Sequence, residues 1–158
     1  MELIEFLKSV ELFNFCPEDY LNVISKIIVI NEYNDSDVIF EEGSNSDNLY
    51  IVKQGKIKIV KKIVDAEIKV LATLKSGDFF GELSIFDNEP RSASAIAFGS
   101  EKIIILSIKK EELINFNYNY PHIMNLILQN IIITLSGRMR KINEQLRDKV
   151  FWGFTSKK

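Results

Sequence analysis

The stretch Leu49 to Ile59, LYIVKQGKIKI, decides the fold. From Lys56 to Ile59, lysine and isoleucine alternate with a period of two, which puts one face of a β-strand in a core and the other in water. Gly55 separates this run from the apolar run LYIV. The stretch is therefore predicted to form two strands joined by a turn.

Similar short runs, rich in β-branched residues, recur about every ten residues between Ile27 and Ile108. They are separated by Gly43, Gly55, Gly77 and Gly99, or by clusters of Asn, Asp and Ser. The runs are IIVI, DVIF, LYIV, KIKIVKK, EIKVLATL, SASAIAF and KIIILSI. Strands at this spacing predict a closed antiparallel sandwich or roll.

Helical patterns flank the strands. Proline and two acids at Pro17-Glu18-Asp19 are typical of a helix start. After the strands the period becomes helical again, with a short helix from Lys109 to about Phe116 and a long helix from Pro121 to about Val150. The predicted fold class is α+β, mainly β, with an antiparallel jelly-roll-like β-roll, N-terminal helices, a C-terminal hinge helix and a long helix.

The length of 158 residues suits one compact domain. We expect a single domain over residues 1–158, divided into a helical N-terminus (1–26), the β-roll (27–108) and the C-terminal helices (109–158). The formal net charge is −2, but the segment from Gly137 onward is basic. That charge fits either a nucleic-acid or membrane surface or, as we prefer, the solvated face of a helix.

Composition excludes several classes of site. The only cysteine is Cys16, which excludes a disulfide framework and a cysteine-rich zinc or iron–sulfur site. The only histidine is His122, and neither a phosphate-binding P-loop nor a GxSxG elbow is present. We therefore expect neither a metal nor an enzymatic activity. The N-terminus does not resemble a signal peptide, and no apolar run reaches membrane-spanning length, so we expect a cytoplasmic protein without membrane insertion.

The stretch Gly81 to Ser94, GELSIFDNEPRSAS, carries the functional signal. Gly81 lets the backbone approach a ligand closely, and the turn that follows it presents N–H groups to an anion. Arg91 supplies a planar fork that grips phosphate oxygens. The hydroxyls of Ser92 and Ser94 add donors, and Ala93 leaves its N–H accessible. The stretch is predicted to be a phosphate cradle.

Glu82 indicates which phosphate compound binds. A carboxylate beside a bound phosphate repels it unless the carboxylate faces a neutral donor, and a ribose 2′-hydroxyl is such a donor. An acid and an arginine that together span a sugar and its phosphate describe a compact nucleotide. A 3′,5′-cyclic monophosphate fits this description.

The stretch FFGELSIFDNEPRSAS resembles the phosphate-binding cassette of cyclic-nucleotide-binding domains, which occur in catabolite activators, regulatory subunits of cyclic-AMP-dependent kinase and cyclic-nucleotide-gated channels. The resemblance extends over nearly the whole chain and includes LYIVKQGKIKI. It implies that Glu82 binds the ribose 2′-hydroxyl. It also implies that Arg91 and Ser92 bind the cyclic phosphate with the amides of Gly81, Leu83 and Ala93. Ser84 and Ser94 belong to the same cassette. Ile59, Leu71 and Leu74 are expected to line the purine site, and the long helix is expected to close over the base.

Two features depart from the family pattern. Where the activator presents paired hydroxyls to adenine, our alignment places Arg138 and Met139, so Arg138 becomes a candidate base contact. A hydroxyl at Ser92 suits either phosphate or guanine. Cyclic AMP is the preferred ligand and cyclic GMP the second. Only Phe151 to Lys158 follow the long helix, which predicts no helix-turn-helix and no sequence-specific DNA binding.

The long helix carries an apolar stripe that we call the seam. Its residues are spaced four, three, four, three and four apart, as in a coiled coil of about three heptads. They are Leu128, Ile132, Leu135, Met139, Ile142 and Leu146. The seam predicts either packing on the chain's own β-roll or, as we prefer, a homodimer. Two functions stay open: a second-messenger receptor that acts on a downstream protein, and a dimeric adaptor that binds no nucleotide.

Overall fold

The computed structural model describes residues 2–45, 47–63, 68–99 and 101–155, with side chains as far as Arg147. Three helical segments precede the strands: α1 (Leu3–Lys8), a single 3-10 turn (Glu11–Phe13) and α2 (Glu18–Ile27). Helix α2 begins directly after Pro17, with Glu18 and Asp19 in its first turn. Acids at this position favour helix formation because they oppose the positive end of the helix dipole.

The strands of the described residues form two antiparallel four-stranded sheets, in the orders β1-β8-β3-β6 and β2-β7-β4-β5. This arrangement, with helices at both ends, confirms the predicted α+β, mainly β roll. The strands are β1 (Ile28–Tyr33), β2 (Val38–Phe40), β3 (Asn48–Gln54), β4 (Lys56–Lys62), β5 (Ile68–Lys75), β6 (Phe79–Phe80), β7 (Ser94–Phe98) and β8 (Ile103–Lys109). The later helices are α3 (Leu83–Phe86), α4 (Lys110–Asn119) and α5 (Pro121–Thr155).

Gly55 joins two strands that belong to different sheets, because β3 lies in the first sheet and β4 in the second. Its φ is +85°, and a Cβ at this position would lie 2.6 Å from Cγ1 of Ile103. Both the left-handed backbone and the close approach of β8 require glycine. The turn in LYIVKQGKIKI is therefore a crossing point of the roll.

The two halves of LYIVKQGKIKI differ in pattern because their surroundings differ. Leu49 and Ile51 belong to a core between the first sheet and the helices, whereas Tyr50 and Val52 belong to a second core inside the roll. Strand β3 is buried on both faces, so its run is continuously apolar. In the first part of β4, Ile57 and Ile59 belong to the second core and alternate with Lys56 and Lys58.

Helix α5 completes the first core. Its apolar residues pack with α1, α2 and the first sheet, and the buried ones are Ile123, Met124, Ile127 and Ile131. Asn130 is also buried, and its Nδ2 donates to the carbonyls of Leu12 (3.1 Å) and Asn14 (3.0 Å). These contacts fix the first half of α5 to the N-terminal helices. Among the described residues, no helix combines the length and apolarity needed to cross a membrane.

Candidate functional site

A cavity of about 460 Å³ lies between the second sheet, the segment around α3 and the second half of α5. This volume is within the range of small-molecule sites. Its wall is mostly apolar and contains a few polar groups. The lining residues are Phe40, Ile59, Ala72, Leu74, Phe80, Gly81, Glu82, Leu83, Ser84, Arg91, Ser92, Ala93, Leu135, Arg138, Met139 and Ile142. We call this space the cavity and the segment Gly81–Ser94 the cassette.

The cassette starts at a glycine that the geometry requires. Gly81 has a φ of +79°, and a Cβ there would lie 2.7 Å from Nη1 of Arg91 and 3.2 Å from the carbonyl oxygen of Asn48. Any side chain would therefore displace Arg91 or the start of β3. Glycine is required because the guanidinium of Arg91 occupies the space that a side chain at position 81 would need.

Arg91 is held in one orientation by the residues around it. Its Nη1 donates to the Gly81 carbonyl (2.6 Å) and to Oγ of Ser84 (2.6 Å), and its Nη2 donates to the Asn48 carbonyl (2.7 Å). Its Cζ lies 4.3 Å from the ring centroid of Phe40, a cation–π contact. The side chain is only 3% exposed. A buried guanidinium on the cavity wall is a pre-organised anion-binding group.

Glu82 lies beside Arg91 on the same wall and is 4% exposed. Its Oε1 accepts a bond from Nη1 of Arg138 at 3.2 Å, and the two form an ion pair. Burial raises the pKa of the Glu82 carboxyl above its ordinary value, while its own backbone N–H and the guanidinium groups of Arg138 and Arg91 act in the opposite direction. Glu82 is thus a buried acid whose ionised form depends on neighbouring positive charge.

Most of the predicted cassette residues come together on the cavity wall, and one does not. Gly81, Leu83, Ser84, Ser92 and Ala93 line the cavity along with the acid and the arginine already described. The structure does not bring Ser94 to the cavity wall. Its Oγ accepts from the backbone N–H of Glu42 at 2.8 Å, and the residue lies outside the lining. At the start of β7, Ser94 ties the end of the cassette to the chain after β2.

On the inner face of the roll, Ile59 and Leu74 line the cavity, but Leu71 does not. The register pairs Ile59 with Ala72 and Val60 with Val70, so Leu71 is the extra residue of a β-bulge. It is 52% exposed, and Ala72 takes the predicted place on the wall. The structure therefore does not bring Leu71 to the cavity wall, because of a bulge in strand pairing that the run EIKVLATL does not reveal.

Sequence reasoning missed several residues of the site. Phe40 and Phe80 come from β2 and β6, and Leu135 and Ile142 come from α5. The seam periodicity identified the two α5 residues as apolar but left their partner open, with a second copy of the chain preferred over the β-roll. Phe40 and Phe80 belong to elements of three and two residues, which are too short to show a period.

A second missed feature is the support behind the cassette. Nζ of Lys61 donates to the Ser92 carbonyl (2.9 Å) and forms an ion pair with Glu42 (3.3 Å). The backbone of Arg91 is also bonded to a neighbouring loop: the Gly43 N–H donates to the Arg91 carbonyl, and the Arg91 N–H donates to the Ser44 carbonyl. These bonds fix the backbone that presents Arg91 and Ser92.

Arg138 projects from α5 into the cavity wall. In addition to its pair with Glu82, its Nη2 donates to the Phe79 carbonyl at 2.6 Å, and its Cζ lies 5.1 Å from the Phe79 ring centroid. The sequence prediction made Arg138 a candidate base contact. Here its guanidinium is bonded to the acid of the cassette and to the carbonyl of β6.

Comparison with known proteins identifies this arrangement. The family model described as "Cyclic nucleotide-binding domain" matches residues 30–117, more than half of the chain. A cGMP-dependent protein kinase of Drosophila melanogaster, isozyme 2 forms cD5/T2, is 32% identical over 150 residues, which is 93% of this chain and 15% of the kinase. The CRP-like cAMP-activated global transcriptional regulator of Mycobacterium tuberculosis H37Rv is 34% identical over 113 residues, 72% of this chain and 48% of the regulator.

Among solved structures, the catabolite activator protein of Thermus thermophilus superposes with a TM-score of 0.76 at 26% identity. The match covers 89% of this chain and 63% of the activator. The chain spans less than half the length of the Drosophila kinase and of the Mycobacterium regulator. These matches confirm the family resemblance that the cassette predicted.

Proposed function

Because the chain belongs to the cyclic nucleotide-binding domain family, we propose that it binds a 3′,5′-cyclic nucleotide in the cavity and serves as a non-catalytic receptor module. One observation carries the proposal: a buried acid, Glu82, and a buried guanidinium, Arg91, line the same largely apolar cavity. A sugar hydroxyl and an anionic phosphodiester next to each other match this pair. The apolar walls of the cavity suit a purine.

The proposed roles follow from the chemistry of each group. Glu82 accepts the ribose 2′-hydroxyl, and Arg91 pairs with the phosphate together with the hydroxyl of Ser92. The N–H groups of Gly81, Leu83 and Ala93 add donors along the same wall. The purine packs between the inner face of the roll and α5. The apolar side chains proposed to contact it are Ile59, Ala72, Leu74, Leu135, Met139 and Ile142.

Cyclic AMP is the proposed ligand, with cyclic GMP as the competitor. One relative is described as cAMP-activated and another as cGMP-dependent, and both are similar in identity to this chain. Ser92 supports both nucleotides, since its hydroxyl suits either a phosphate or a guanine. The preference for cyclic AMP is tested by titrating both nucleotides against the same protein.

We propose that the signal leaves the site through the C-terminal helices. α5 contributes Leu135, Arg138, Met139 and Ile142 to the cavity wall, so a ligand in the cavity contacts it directly. If α5 can occupy two placements against the roll, a nucleotide that binds more tightly to one of them increases the population of that placement. The exposed part of the seam then presents a changed surface to a second copy of the chain and to a downstream protein.

The test of the proposed function is isothermal titration calorimetry with cyclic AMP, cyclic GMP and 5′-AMP. We expect binding of a cyclic nucleotide by the wild-type protein and a loss of affinity of about two orders of magnitude or more in Arg91→Ala, because a buried charge then lacks its partner. The matched control is Arg140→Ala, an exposed arginine of α5 outside the cavity. Its affinity is expected to equal that of the wild type.

A thermal shift assay gives an independent readout. A ligand at one hundred times its Kd adds about 2.7 kcal/mol of stability to the folded protein. If neither cyclic nucleotide raises the unfolding temperature or releases heat on titration, the receptor function is wrong. The exposed seam of α5 would then favour a dimeric adaptor.

A further inference from the structure

Arg138 connects α5 to the cassette and to the strand before it through hydrogen bonds. Arg138 donates through Nη1 to Oε1 of Glu82 (3.2 Å) and through Nη2 to the Phe79 carbonyl (2.6 Å). The Glu82 side chain is 5% exposed and the Arg138 side chain 32% exposed. The pair is thus shielded on the acid's side and reachable by water on the arginine's side.

The charges around the cavity show what the pair does. Two guanidinium groups face Glu82: Arg91 from the cassette and Arg138 from α5. The lining residues contributed by the sheets and by α3 carry no charge. Asp47 and Tyr50 interact with Arg91. With Glu82 ionised, the three charged groups of the wall carry a net charge of +1, which a phosphodiester anion neutralises.

Without Arg138 the charges of the occupied site would not balance. Arg91 alone would then compensate two anions, the Glu82 carboxylate and the phosphate. Like charges that share a poorly solvated site disfavour the charged form of the group that can take up a proton. The phosphodiester cannot do so near neutral pH, so the proton would go to Glu82.

We propose, on the premise that the cavity binds a cyclic nucleotide, that Arg138 is a positioning residue that keeps Glu82 ionised and in place while the phosphodiester is bound. Its role is therefore at the sugar end of the site. Burial raises the pKa of the Glu82 carboxyl and the charge of Arg138 opposes that rise, so loss of Arg138 should raise the pKa further.

The test compares the pH dependence of cyclic AMP binding in the wild type, Arg138→Met and Arg138→Lys. This role predicts that Glu82 stays ionised in the wild type, so Kd is expected to change by less than about three-fold between about pH 5.5 and about pH 8.5. In Arg138→Met, binding is coupled to proton uptake by Glu82. At the highest pH of this range, the affinity of Arg138→Met for cyclic AMP is expected to be about ten-fold or more below that of the wild type. As pH falls, the affinity is expected to rise toward the wild-type value.

Two further variants separate charge from shape. Arg138→Lys restores a positive charge and is expected to restore a flat profile, whereas a loss of packing alone would leave it like Arg138→Met. The double variant Glu82→Gln/Arg138→Met has no acid to protonate, so its profile is expected to be flat even though Arg138 is absent. His122 is present in all four proteins and cancels in the comparison.

The outcomes distinguish this inference from the function on which it depends. If the wild type binds a cyclic nucleotide and Arg138→Met shows the same pH profile as the wild type, the charge-balancing role is wrong and the receptor function stands. A slope in Arg138→Met that persists in the double variant also overturns the role, because another group must then be titrating. If the wild type binds neither cyclic nucleotide at any pH, the receptor function fails, and this inference fails with it.

Discussion

The two halves of α5 are attached to the protein by different forces. In the first half, Ile123, Met124, Ile127 and Ile131 are buried in the core. In the second half, Met139, Ile142 and Leu146 are each more than half exposed, and the contacts to the roll include the two bonds of Arg138. Burying an aliphatic side chain contributes about 1.5–3 kcal/mol, whereas a partly exposed ion pair contributes about 1 kcal/mol or less. We therefore expect the first half to stay fixed and the second half to respond to the ligand.

The largest expected effect is on the buried half. Ile127 is 2% exposed, and Ile127→Ala leaves a cavity in the core, so the free energy of unfolding should fall by about 2–5 kcal/mol in a urea titration. The matched control is Ile132→Ala on the exposed side of the same half, where the change should stay within about 0.5 kcal/mol. Equal losses in the two variants would contradict the assignment of the faces.

A smaller effect is expected at the polar anchor of the same half. Asn130→Ala removes the donor to the Leu12 and Asn14 carbonyls and leaves both acceptors without it, so the free energy of unfolding should fall by about 1–3 kcal/mol. The control is Asn125→Ala, an exposed asparagine of the same helix. A loss at Asn125 as large as that at Asn130 would show that general helix propensity, rather than the anchor, sets the effect.

The smallest effect on folding is expected in the exposed half, where association rather than stability should change. If the seam joins two copies, Leu146→Glu places a charge in an apolar interface and should shift the protein from dimer to monomer in sedimentation velocity. The free energy of unfolding of the monomer should stay within about 0.5 kcal/mol, because the residue is exposed. Arg140→Glu introduces the same side chain outside the seam and should leave the mass unchanged.

Sedimentation velocity of the wild type and of the two glutamate variants tests whether the exposed seam joins two copies. A wild-type protein that is monomeric at all accessible concentrations would remove the second copy from the proposal. The exposed seam would then be left for a different partner. A dimer that dissociates in both glutamate variants would place the interface elsewhere on α5.

The cassette and the long helix differ in how far the sequence revealed them. The cassette is contiguous from Gly81, so its glycine, acid and arginine appear as one motif, and the structure places all three on one wall. The seam was visible as a period, but the period does not say what it contacts. Leu135, Met139 and Ile142 belong both to the seam and to the cavity wall. A helical pattern identifies an apolar face and leaves its partner open.

The sequence alone determined seven of the eight described strands of the roll, the turn at Gly55 and the acid–arginine motif, because each is encoded by residues close together in the chain. The tertiary structure decided the rest. It placed Ala72 rather than Leu71 in the wall through a bulge, turned Ser94 toward Glu42, and paired Arg138 with Glu82. The physical reason is that strand register and long-range partners depend on packing between segments far apart in sequence, where a shift of one residue reverses the face of a side chain.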